Sequence, residues 1–449
     1  MLLHCSRVDW DEAAIRRWLE PLDGREVDIA EVFGEALSEL VLEWNDGVIR
    51  EVRVRREEGT AARRRAGGVE QLVCVPGYGE ASAREAVRAL RSEAGGEPLP
   101  IRPAGRPEET DAGALFPDAD RWTRRLSSLF ARHAPKHAFR FRIRQTERRV
   151  VADRSRSASS SRRLVSLEGR FTAASRAGDE ERPFAFHAPH SESVADELKT
   201  ELAAAAVPRD RPVPAPAGET DAILAAGSAA VFFHEVLGHP LEADAETSPL
   251  QNLPDARVAV PDLEIVDDPR RLDLFGGYEN DDEGVAPRAA RLVAAGRLGG
   301  RITDRAHGAA PGSTGHGRRS GAADAPRPRG ANVVVGPGSA DADEMLRRLG
   351  NGLWIETFDG GSVELASGTF RLRFPRARRV RRGRFADELG GGVLAGEVLP
   401  ALAGVEPVLG RDARACRSFG WCARSGEVVP VGGSAPDVLL RRLTVRPDP

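Results

Sequence analysis

Residues 222–244, AILAAGSAAVFFHEVLGHPLEAD, constrain this chain more than any other stretch. Around residues 229–244 the composition reads as a buried-type apolar helix, yet it carries His234, Glu235 and His239. A carboxylate inside such a helix is costly unless it is paired or associated with a metal.

That chemistry has a recognisable form. Two neutral imidazoles bind one cation, and a carboxylate stands beside the water that the metal activates. In the common HExxH arrangement the two His lie one turn apart on a helix face. Here the spacing is HExxxH, one residue longer. On an ideal helix five residues turn through about 500°, which leaves the second ring roughly 140° from the first. Two local devices would bring His239 back. Gly238 can adopt the left-handed conformation that ends a helix, with Pro240 stopping its continuation. A π-bulge serves equally well. A tetrahedral hydrolytic site also needs a third protein ligand and one open position. Cys422, just before the strand signal GEVVPV, is the best-placed candidate; Cys416 lies near it and is chemically equivalent.

The 449 residues call for roughly two to four domains. Residues 37–59 read as two strands joined at Asn45-Asp46-Gly47. Ser82 with Glu85 reads as a capping box opening a helix, and residues 95–111 as a linker. Residues 118–134 place Trp122, Leu126, Leu129 and Phe130 on one helical face. Two alternating segments, FRFRIRQTERRVV and RRLVSLEGRFTAAS, read as paired strands separated by the Ser-rich residues 152–161. A helix over 194–207 precedes a stiff linker at Pro208, Pro212, Pro214 and Pro216. Beyond it, short β-type runs and glycine dominate, with a long Gly-, Ala- and Arg-rich loop over 307–330. The expectation is an α+β protein: an amino-terminal α/β domain (1–108), a central α/β domain (109–215) and a β-rich catalytic domain (216–449).

A formal net charge of −3 argues against a protein that grips nucleic acid through its phosphates. Arginine supplies almost all the positive charge, because Lys136 and Lys199 are the only lysines. Four cysteines in so long a chain do not make a disulfide framework. Neither a secretory leader nor a membrane-length apolar run is visible. The expected setting is cytoplasmic, with no membrane and no nucleic-acid partner.

HEVLGHPLEAD resembles the motif helix of the TldD/PmbA metallopeptidases. ENDDEGVAPRAARLVAAGRLGGRITDRAHGA resembles that family's DDEG stretch and the segment after it. Ser313-Thr314-Gly315 with Arg318-Arg319 resembles its TGNxRR loop, and CARSGEVVPV its CxKxGQxVPV segment. The likeness is specific over the last half of the chain. It implies Zn2+ on His234, His239 and Cys422, with Glu235 as general base. It also implies peptide substrates, including unfolded or short segments, and a homodimer or a heterodimer with a paralogous subunit. The competing expectation is a catalytically silent peptide-binding or regulatory subunit. Departures from the pattern are His316 for Asn, Arg424 for Lys, Glu427 for Gln, and residues 446–449 in place of a terminal Gly-Gly.

Weaker signals have bland readings. Asp281, Asp282 and Glu283 read either as a solvated loop or as groups ordering a loop near the site. His307 and His316 read as surface histidines, and His133 and His137 as structural ones. The arginine clusters at 63–65, 162–163 and 376–384 read as solvated faces.

Overall fold

The computed structural model describes residues 10–22, 27–46, 48–93, 116, 119–133, 137–152, 156–175, 178–189, 196, 198–200, 203, 207, 212–308 and 312–448. The hairpin read from residues 37–59 is present and much longer. Strands β1 (Val27–Asn45) and β2 (Val48–Ala66) each run 19 residues and pair antiparallel up to Asn45 opposite Val48. Asp46 takes a φ of 47° there, a left-handed turn conformation that Asp tolerates. Four further strands follow: β3 (Val69–Pro76), β4 (His137–Ala152), β5 (Ser157–Ser175) and β6 (Gly178–Ala188). They complete one antiparallel sheet in the order β3-β2-β1-β4-β5-β6. The sheet is therefore stitched from residues on both sides of position 108, through β1 against β4.

The two alternating segments do pair, as β4 against β5, but residues 157–161 of the Ser-rich stretch lie inside β5. Small hydroxylated residues are compatible with a strand when its partner supplies the ladder. The helix Glu80–Glu93 begins two residues before Ser82. The chain turns at Gly77 and Gly79, both at positive φ (92° and 157°), so the helix is already under way at Ser82. Its hydroxyl donates to the Pro76 carbonyl at 3.1 Å instead of forming the expected box. The expected helix at 118–134 is observed as Ala119–His133, with Trp122, Leu126 and Phe130 buried. The linker at 95–111 lies outside the described residues, and the helix at 194–207 largely does.

Alternation along β1 divides the sheet's two faces. Ala30, Val32, Leu40 and Leu42 face the two helices, which cover them with Ala86, Val87 and Leu90 in one cluster and Leu126 and Phe130 in another. Glu31, Phe33 and Glu35 take the other face, toward the carboxyl-terminal half. There Arg63 meets Glu283 at 2.7 Å, Arg148 meets Asp282 at 2.7 Å and Arg319 meets Glu31 at 3.0 Å. The acidic run 281–283 is thus not solvated: all three residues are buried, two of them against cations of the amino-terminal sheet, and they accept backbone N–H groups of Arg305, Gly317 and Arg319, ordering that loop. Arg63 is likewise not part of a solvated face, being 1% exposed.

The carboxyl-terminal half is β-rich. A nine-stranded sheet takes the order Gly360–Glu364, Thr369–Phe374, Gly392–Glu397, Val438–Pro447, Gly218–Leu224, Gly352–Ile355, Ala377–Arg381 and Arg384–Leu389, with Val405–Leu409 on Val438–Pro447. A six-stranded sheet includes Ile265–Asp267, Asn332–Val335 and Gly432–Ala435 at its centre. The helix Ala229–Phe233 shares one core with side chains from both sheets, among them Phe370, Leu372, Ile265 and Val333. All five of its residues are buried, which is why the sequence is apolar on every side. Burying one large side chain such as Phe232 contributes about 1.5–3 kcal/mol. Val213, at the end of the proline-rich linker, bridges to Leu389 at the far edge of the large sheet. No helix among the described residues is long and apolar enough to cross a membrane.

Candidate metal centre

The HExxxH spacing is accommodated by a π-helical turn. Residues His234–Gly238 form it, and the His239 N–H donates to the His234 carbonyl five residues back. Gly238 stays in the right-handed region, at φ −55° and ψ −68°, so the left-handed exit at that glycine is not used. The wider turn takes up the extra residue and returns His239 to the face of His234. Their rings lie 4.6 Å apart, inclined at 71°. Pro240 follows in a short 3-10 turn, His239–Leu241.

Cys422 arrives from the opposite wall. It sits on the strand Trp421–Arg424, paired with Glu427–Pro430 around Ser425 and Gly426, both at positive φ. Its Sγ lies 3.1 Å from His239 Nε2 and 3.4 Å from His234 Nε2. The three donor atoms all fall within 4.8 Å of one another. Tetrahedral zinc with bonds of about 2.0 Å to nitrogen and about 2.3 Å to sulfur needs donor separations of this size. The donor set therefore fits the metal that the sequence implied. Cys416 is buried but joins no such group among the described residues; its Sγ lies 3.5 Å from Ser418 Oγ.

The charges around these donors are strongly coupled. Burial opposes ionisation of Cys422, but His239 and then His234 outweigh it and hold the thiol well below its usual value. Burial likewise disfavours a charged His239, whereas Cys422 and Glu242 raise it well above its usual value. Arg329, 1% exposed, donates to the Cys422 sulfur at 3.3 Å and to its carbonyl at 3.1 Å. Glu242, fully buried, faces His239 Nδ1 at 3.1 Å, accepts the Gly330 N–H at 3.0 Å and pairs with Arg424 at 2.7 Å. Its burial is offset by His239 and the two arginines, leaving its carboxyl at about 2. A carboxylate on the outer nitrogen of a ligating His fixes ring orientation and tautomer. Phe419 meets the His234 ring edge-on at 4.8 Å.

Glu235 lines the same cavity, of about 730 Å³, as His234, His239 and Cys422. Burial pushes its carboxyl above the ordinary value, with His239 and His234 opposing. Gly361 lies against it: a Cβ there would meet Leu372 Cδ2 at 2.6 Å and Glu235 Oε1 at 3.0 Å.

Sequence reasoning missed Glu242 and Arg329. Glu242 carried a signal, an acid three residues beyond His239 in an apolar run; Arg329 carried none. His316, read as a surface histidine, is buried, with Nε2 3.2 Å from Asp267 Oδ1. The fold closes over it because Thr314 and Asp267 supply its polar partners. His307 is half-exposed and faces Asp304 at 2.8 Å. The side chains of His133 and His137 lie outside the described ones.

Residues 217–447 match the family model of the PmbA/TldA metallopeptidase C-terminal domain. A metalloprotease of Methanothermobacter thermautotrophicus is 33% identical over 236 residues, covering 52% of this chain and 51% of that protein. A zinc metalloprotease TldD homolog of Saccharolobus solfataricus is 27% identical over 237 residues, covering 51% and 52%. The chain spans about half the length of the curated relatives it matches. Its fold is similar to that of TldE from Thermococcus kodakarensis, with a TM-score of 0.72, 15% identity, and coverage of 96% of this chain and 99% of that one. At that identity the likeness is one of fold alone.

Proposed function

Because this chain belongs to the TldD/PmbA metallopeptidase family, we propose that it is a zinc-dependent peptidase acting on short or unfolded peptides. The observation that carries this reading is the convergence of His234, His239 and Cys422 with Glu235 on one cavity. Zinc on those three donors would polarise the scissile carbonyl and make water acidic enough to deprotonate near neutral pH. Glu235 accepts the proton of the attacking water and returns it to the leaving amine; its raised pKa suits both halves of that task. Glu242 orients His239, and Arg329 stabilises the thiolate. The strand Gly360–Glu364 ends the large sheet and lines the cavity, so its outer edge offers an extended peptide a hydrogen-bonding ladder. Cytoplasmic location, dimeric assembly and a catalytic unit beginning near residue 216 belong to the same proposal, whereas the sheet shared by β1 and β4 speaks against a boundary at 108.

The test is a set of variants assayed for zinc content and for cleavage of an unstructured peptide. Cys422→Ser and His234→Ala should lose zinc and activity together, and Cys416→Ser should lose neither. Glu235→Gln should keep zinc and lose cleavage, because an amide cannot take the proton. Undiminished cleavage by zinc-loaded Glu235→Gln contradicts the mechanism. A zinc-loaded wild type that cleaves nothing favours the silent-subunit alternative.

A further inference from the structure

A second cavity, of about 690 Å³, lies between the amino-terminal sheet and the carboxyl-terminal half. The hairpin that carries Cys422 is a wall of both cavities, and Trp421 lines each of them. The second cavity is unusual in its charge. Arg144, Arg162 and Arg318 all line it, and none makes an ion pair among the described residues. Arg318, 3% exposed, donates among the described residues to the carbonyls of Gly330 at 2.6 Å and Pro430 at 2.7 Å. Arg162 donates to the Phe275 carbonyl. Arg144 rests over the Trp421 ring, 5.5 Å from its centre.

The carboxylates nearby are already committed or turned outward. Asp282 binds Arg148, and Asp281 accepts the backbone N–H groups of Glu283, Val285 and Gly317. Glu279 is exposed. Arg318 is buried and Arg144 and Arg162 are half-buried, and guanidiniums held partly out of water with no ion-pair partner are costly. Burial, then Arg318 and Arg148, press the Arg162 guanidinium down to about 9. An anionic ligand would relieve all three at once, and arginine forks match carboxylates bidentately. Leu272, Tyr278 and Trp421 add apolar and aromatic surface, and the volume exceeds what one small acid fills.

We propose that this cavity binds a polycarboxylate, supplied by an acidic segment of a peptide. The site is separate from the metal centre and does not require that the protein be a peptidase. Its test is calorimetric, on full-length zinc-loaded protein carrying Glu235→Gln so that no probe is consumed. The probes are acetylated, amidated tetraglutamate and citrate, at low ionic strength. Tetraglutamate should bind saturably, more weakly as salt rises. Arg162→Gln should weaken it roughly tenfold or more, the loss of one charge-assisted contact. Arg144→Gln should do the same and is the safer variant for folding, because Arg144 bonds no buried carbonyl among the described residues; unchanged melting qualifies each variant. Binding of citrate alone supports the site and reassigns its source to a free organic acid. Failure of both probes to bind, or binding unchanged by both substitutions, overturns the proposal.

Discussion

Glu242→Gln isolates what one carboxylate contributes to the candidate metal centre without touching a proposed ligand. The substitution preserves shape and one carbonyl acceptor, so the Gly330 N–H keeps a partner. It removes the negative charge that faces His239 at 3.1 Å, Arg424 at 2.7 Å and Arg329 at 3.6 Å. Arg424 retains Asp244 at 2.7 Å, but Arg329 is 1% exposed and keeps the Cys422 sulfur at 3.3 Å and, as carboxylate among the described residues, a distant Glu427 at 3.9 Å. Breaking a buried charged pair by removing one partner costs about 3–5 kcal/mol. The surviving contact of Arg424 places the expected loss near the lower end, about 3 kcal/mol, for the metal-free protein. Zinc affinity should fall about 10- to 100-fold, because nothing then fixes the His239 tautomer. The assay is competition for zinc against a chelator of known affinity, with denaturant unfolding of the metal-free form alongside. Zinc affinity within about twofold of wild type in a folded variant would refute the orienting role.

Three other outcomes can be checked. Gly361→Ala should cut peptide cleavage at least about tenfold while zinc stays bound, since its Cβ meets Leu372 and Glu235; the overpacking should cost about 1–3 kcal/mol, read by melting. Arg63→Met should cost about 3–5 kcal/mol in denaturant unfolding above about pH 8, where Glu283 is ionised, because it strands Glu283 and weakens the pairing of Glu31, both fully buried; a loss below about 1 kcal/mol would mean the pair behaves like a surface one. Burial, then Glu31, raise Glu283 to about 7, so the folded protein holds a proton that the unfolded chain releases above about 4.3. That contribution is complete below the unfolded value and lost as pH rises to about 7. The stability advantage of wild type over Glu283→Gln should therefore shrink between pH 5 and 7.5, in melts read at both; an advantage that grows contradicts the assignment.

The candidate metal site was more legible in the sequence than the amino-terminal fold, for a physical reason. His234, Glu235 and His239 are local, so their spacing alone demanded a distorted turn, and one of the two distortions considered is the one observed. Cys422 was favoured by the strand signal after it, but chemistry alone did not exclude Cys416, and the family resemblance was what set the two apart. Glu242 announced itself weakly. Arg329 did not, since its role depends on a strand returning beside it from residues 421–424. The carboxyl-terminal strands over 332–335, 352–374 and 427–447 stood out by composition. What lay hidden was the pairing of β1 with β4, more than 90 residues apart along the chain. Alternation marks a strand but not its partner. The same blindness turned Arg63 and His316 into surface features and left a solvated loop as one of two readings of the acidic run, when non-local partners bury all of them.

That pairing also governs how the polypeptide can be divided. A piece ending near residue 108 would keep β1, β2 and β3 but strip β4 from the flank of β1, which runs 19 residues and buries Ile29, Leu40 and Val41. A long, apolar, unpaired flank templates association with other copies. Such a piece should accumulate as insoluble material on expression, whereas one extending through β6 closes the flank and stays in solution.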